Sequence, residues 1–76
     1  MPRYYFDVRA NDNLVVDDEG VEFPDVRGAE IQATRSVGEM ASDIPPGTQH
    51  HHIAIEVRTD YGRAFKAAFT FDLTRQ

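Results

Sequence analysis

The chain has 76 residues, no cysteine and a formal net charge of −5, with thirteen acidic against eight basic side chains. That length allows one small domain over residues 1–76, and the missing thiols exclude disulfide staples and thiolate metal sites. The acidic balance speaks against nucleic-acid or anionic-membrane partners, no apolar run is long enough to span a bilayer, and Met1-Pro-Arg-Tyr-Tyr-Phe-Asp7 lacks the apolar core of a signal peptide, so a cytoplasmic protein is expected.

Arg3 to Arg9 alternates, with Tyr4, Phe6 and Val8 on one side and Tyr5, Asp7 and Arg9 on the other. This predicts a half-buried strand. Ala10-Asn-Asp-Asn13 reads as a turn, and Leu14-Val-Val16 as the start of a second, short strand. Asp17-Asp-Glu-Gly20 ends that strand with turn chemistry, and Val21 and Phe23 add apolar anchors. Pro24-Asp25 opens a helix with Asp25 as N-cap. Val26, Ala29, Ala33, Val37, Met40 and Ile44 recur at steps of three and four and form its buried stripe. Gly28 and Gly38 weaken the helix, Ile31 lies off the stripe, and Pro45-Pro46 stop it.

A third strand is predicted over His51–Thr59, with Ile53, Ile55 and Val57 on one face. A fourth runs over Arg63–Thr74, with Phe65, Ala67, Phe69, Phe71 and Leu73 on one face. Both apolar sets are odd-numbered and must share a face, which restricts the register. A three-residue loop Asp60-Tyr-Gly62, with Gly62 left-handed before a bulge, satisfies that restriction. It pairs Ile53 with Phe69, Ile55 with Ala67 and Val57 with Phe65, and sets Glu56 opposite Lys66 as a cross-strand charge pair. The expected fold is α+β: strand-strand-helix-strand-strand, an antiparallel-rich sheet of three to four strands with one helix packed on one face. The strand order stays open. The other face would show Tyr5, Asp7, Arg9, Ala54, Glu56, Arg58, Ala64, Lys66, Ala68 and Thr70.

Two stretches, Pro2-Arg-Tyr-Tyr-Phe6 and Asp17-Asp-Glu-Gly-Val-Glu-Phe-Pro-Asp25, resemble a family of short bacterial proteins, abundant in rhizobia and related soil bacteria, catalogued as a domain of unknown function. The resemblance covers most of the chain, strongest from Pro2 to Asp25 and weak after Ile44. Asp7 departs from the histidine common there, and Asn11-Asp-Asn13 from the usual Asp-Gly turn. Gly28 replaces a stronger helix former. The resemblance implies a compact α+β domain and carries over no catalytic residue. The signature residues read as a core strand, a tight turn and a helix cap.

Three neighbouring histidines raise a metal or pH-switch question. Strand alternation splits them: His51 faces the core side, opposite Phe71, while His50 and His52 share the open face. His50 lies opposite Asp72 and His52 diagonal to it, so His50, His52 and Asp72 form a candidate zinc or iron triad. Glu56 is about 13 Å along the strand from His52, too far to join. The plainer reading is a polar strand entry. Asp12, Asp17, Asp18, Glu19, Glu22 and Asp25 lack the ligand spacing of a calcium loop and read as a solvated turn, or as a dock for a basic partner. Ser36 and Ser42 sit in no nucleophile elbow, Glu30 and Glu39 have no acid–base spacing, and no glycine-rich phosphate loop exists. No enzyme activity and no cofactor are expected. What remains is an interaction or accessory module that self-associates or meets a protein partner through an open face bearing Tyr5, Ala54, Ala64 and Ala68. The alternative is metal binding by His50, His52 and Asp72.

Overall fold

The computed structural model describes residues 2–75. The elements are β1 (Arg3–Ala10), β2 (Asn13–Val15), β3 (Val21–Glu22), α1 (Val26–Ser42), β4 (His50–Thr59) and β5 (Gly62–Asp72). One five-stranded antiparallel sheet runs β2-β1-β4-β5, and β3 pairs with the first residues of β1 on the same side as β2. The α+β class holds. The strand number does not: Val21 and Glu22 form a strand of two residues, too short to leave a periodic signature, because Phe23 N–H is held by the Pro2 carbonyl and keeps the chain alongside β1.

The β1–β2 turn is tight. Asn11 takes φ +54°, a left-handed conformation that asparagine tolerates. It then extends the sheet: the Asn11 backbone N–H donates to the His52 carbonyl, and the side-chain Oδ1 accepts the His52 N–H. On the far side of the molecule, the last hairpin has the predicted register, with Ile53 opposite Phe69, Ile55 opposite Ala67 and Val57 opposite Phe65. Its turn is one residue shorter than expected, since Thr59 already pairs with Gly62. The register shift falls between Val57 and Arg58 and places Arg58 opposite Arg63. Gly62, at φ +126°, supplies the left-handed residue the turn requires.

Asp25 caps the helix as predicted, its carboxylate accepting Arg27 N–H and Gly28 N–H. The helix ends at Ser42, one turn short of Pro45, with Asp43 as C-cap, so Ile44 lies beyond it. Ala29 and Ala33 are fully buried and let the helix backbone approach the sheet. Together with Val37 they pack on Tyr4, Ile55 and Val57, with Phe6, Val8, Phe23, Phe65 and Phe69 around the rim. Phe23 joins the layers, its ring centroid 6.0 Å from Tyr4 and 6.2 Å from Phe6, the second edge-on. Ile53, Ile55 and Val57 are the largest fully buried side chains. Burying each stabilises the fold by roughly 1.5–3 kcal/mol. All three are on β4, so this strand is the centre of the core. No described helix is long and apolar enough to cross a membrane.

Candidate functional site

The helix covers one face of the sheet. The other face is built from the outward residues of three long strands, and a shallow depression on it is lined by Asp7, Arg9, Glu56, Arg58, Arg63 and Lys66. Its centre is an ion-pair network. Arg58 Nε donates to Asp7 Oδ2 at 2.9 Å, and a second guanidinium nitrogen donates to the Asp17 carbonyl at 2.7 Å. Asp7 Oδ1 accepts the Asp17 N–H at 2.9 Å. The Arg58 guanidinium also lies over the Tyr5 ring, 4.5 Å from its centroid, a cation–π geometry. The hydrogen bond that Arg58 donates to Asp7 raises the Arg58 pKa above its ordinary value.

This network pins the acidic turn to the edge of β1. Asp17 turns its carboxylate inward and accepts the N–H groups of Phe6, Glu19 and Gly20. The Phe6 N–H is the first cause of its lowered pKa, reinforced by the other two amides and by the Arg58 charge against a partial desolvation. Gly20 takes φ +74°, and a Cβ there would stand 2.8 Å from Arg3 Cγ and 3.0 Å from Tyr5 Cε2. The Asp17–Gly20 signature is therefore structural, as the sequence suggests: one carboxylate, one glycine and the β1 side chains they meet.

The proposed interaction residues fare differently. Tyr5 is half-buried, clamped under Arg58 with its hydroxyl donating to Asp60 Oδ1 at 3.3 Å. Ala54 lies on the open face but is only 2% exposed, flanked across the strands by Arg9 and Ala68, so it offers no contact area. Ala64 and Ala68 are exposed. Glu56 and Lys66 are opposite one another, yet the Glu56 carboxylate pairs with Arg9 at 3.4 Å instead. Arg63 and Lys66 enter no ion pair among the described residues.

At the other end of β4, His50 stands opposite Asp72, and their side chains meet at 2.5 Å. His52 turns its Nδ1 to Thr70 Oγ1 at 2.9 Å. His51 is opposite Phe71, with its ring 3.2 Å from Asn11 Nδ2. Among the described residues, no group of three His, Cys, Asp or Glu side chains is gathered closely enough to hold a metal ion.

The role of Arg58 and Asp7 is not visible in the sequence beyond their outward parity. They meet because β1 lies beside β4 with Tyr5 opposite Arg58 and Asp7 opposite Glu56, a register set across the whole helical connection. A family model described as "Domain of unknown function (DUF6894)" matches residues 3–71. No curated protein and no solved structure matches the chain.

Proposed function

From the premise that the chain belongs to the DUF6894 family of domains of unknown function, we propose a non-enzymatic interaction module that self-associates. One observation carries this reading. β5 is the longest strand, yet none of its residues is buried, although Phe65, Ala67, Phe69 and Phe71 all face the helix side. A two-layer body of this size gains stability by covering such a strand. Arg63 and Lys66 on this strand, which form no ion pair among the described residues, add charge selectivity to whatever covers it. Sedimentation velocity from about 1 to about 200 µM tests the reading by mass action. A concentration-dependent rise in sedimentation coefficient is expected, and a constant monomer overturns it.

Metal binding by His50, His52 and Asp72 is the second reading, supported by the His50–Asp72 contact, which holds two of the three ligands together. His52 would have to leave Thr70 to join them. Thr70→Ala should then tighten zinc binding, read from histidine ring NMR shifts during titration. Unchanged rings at excess zinc in both proteins would remove this reading.

A further inference from the structure

The two edges of the sheet are finished differently. On the β1 side, the edge is covered by β2 over Val8–Ala10, by β3 over Arg3–Tyr4, and at Phe6 by the Asp17 carboxylate. On the other side, β5 runs from Gly62 to Asp72 with no strand beyond it. No proline interrupts β5, and Lys66 is the lone charge in its middle. Such an edge is a template for a further strand.

The direction of its free backbone groups follows from three hydrogen bonds. Leu73 N–H donates to the Gln49 carbonyl, and the His52 N–H and carbonyl point the other way, to Asn11. Because backbone direction alternates, the odd residues of β5 are bonded to β4. The N–H and C=O groups of Lys66, Ala68, Thr70 and Asp72 therefore point outward.

We propose that β5 pairs antiparallel with β5 of a second copy, about a two-fold axis through Phe69, so that the Lys66 of each copy faces the Asp72 of the other. Charge selects this register. Antiparallel partners must share a face, so the axis passes through a residue and not between two. An axis through Lys66 or Asp72 sets like charges opposite each other. An axis through Ala67 or Ala68 leaves Lys66 opposite Ala68 or Thr70. The axis through Phe69 places both Lys66–Asp72 pairs on the open face, next to His50. It also sets Ala68 opposite Thr70, Phe69 opposite Phe69, and Ala67 opposite Phe71. Phe65 meets Leu73, which is 54% exposed in the single chain. Both helices end on one side of the joined sheet, and the half-buried phenylalanines gain the cover they lack.

This proposal rests on the self-association reading and names its contact, and the two can fail separately. Ala68→Pro removes an outward N–H and leaves the β4 ladder whole, a position where an edge strand accepts proline. The wild-type chain is expected to sediment as a dimer at about 100 µM, with Lys66, Ala68, Thr70 and Asp72 amides slowed in hydrogen exchange as concentration rises. Ala68→Pro is expected to weaken the dimer about tenfold or more with its circular dichroism unchanged. Lys66→Glu should weaken it as well, and Lys66→Glu combined with Asp72→Lys should restore it, a rescue specific to this register. A dimer that persists in Ala68→Pro, or a charge reversal that rescues nothing, overturns the edge contact while self-association stands. A wild-type monomer at every concentration overturns both.

Discussion

The Asp17 carboxylate accepts the backbone N–H of Phe6 at 3.1 Å, in the middle of the Tyr5–Asp7 gap that neither β2 nor β3 reaches on the β1 edge. A side chain thus does the work of a strand residue. The same carboxylate takes two further amides of its own turn, as an N-cap does. Asp17→Ala should therefore lower stability by about 0.5–2 kcal/mol, the range for loss of a capping carboxylate. Urea unfolding at neutral pH measures it, and exchange of the Phe6 amide should quicken more than that of Tyr4.

The lowered pKa of Asp17 makes part of this contribution pH-dependent. Its pKa is lower folded than unfolded, so folding favours the ionised form. The associated stability is fully present above the ordinary aspartate value of about 3.9 and is lost as pH falls through the lower folded value. Urea midpoints measured from about pH 6 to about pH 2 should drop. Asp17→Asn should flatten that acid limb while starting from a lower midpoint.

Arg58 serves Asp7, Asp17 and Tyr5 at once, and only a planar guanidinium meets all three. Arg58→Lys should lower the unfolding midpoint although the charge is kept, and Arg58→Ala should lower it further. Asp7, only 14% exposed at its side chain, then keeps an uncompensated carboxylate. In a double-mutant cycle, Asp7→Asn should cost less in the Arg58→Ala background than in the wild type.

The two helix glycines should respond in opposite senses. A Cβ at Gly38 meets nothing within 4 Å, so Gly38→Ala should stabilise by about 1 kcal/mol through helix propensity alone. A Cβ at Gly28 would stand 2.8 Å from Phe23 Cδ1. Gly28→Ala should forfeit that gain, because Phe23 holds both core aromatics and has little room to move. Thermal melts of the two variants compare them directly.

What could be read from the sequence depended on how far apart the interacting residues lie along the chain. The β4–β5 register followed from parity and one turn, since a short loop fixes which residues meet. The Asp25 cap and the middle of the helix stripe, Ala29, Ala33 and Val37, were equally legible, being local, whereas Val26 at the start of that stripe is exposed and Ile44 lies past the helix end. The β1–β4 register spans the helix, and no turn constrains it, so the Arg58–Asp7–Asp17 network stayed hidden although the faces of Arg58 and Asp7 were known. Ala54 shows the limit of parity. Alternation gave its side correctly, but its burial depends on its neighbours across both strands. The Glu56–Lys66 pair shows another limit: opposite position was right, and a diagonal arginine on β1 still drew the carboxylate away. The three-histidine run resolved into three separate partners, Asp72, Asn11 and Thr70.

Ala54 also sets a packing limit on the open face. Ala54→Leu should cost about 1–3 kcal/mol, the usual cost of overfilling a close-packed site. The same change at exposed Ala64 should be nearly neutral in chemical denaturation.

The Asp17 turn has a further consequence at the level of assembly. A sheet with two open edges can grow without limit, strand upon strand, toward a fibre. Here one edge is closed by two very short strands and a carboxylate, which under the proposed β5 pairing gives the molecule a valence of one for strand addition. Asp17→Ala would remove the carboxylate from that closure and leave β2 and β3 in place, opening a second point of strand addition at Phe6 whose first sign would be turbidity in a solution that had been clear.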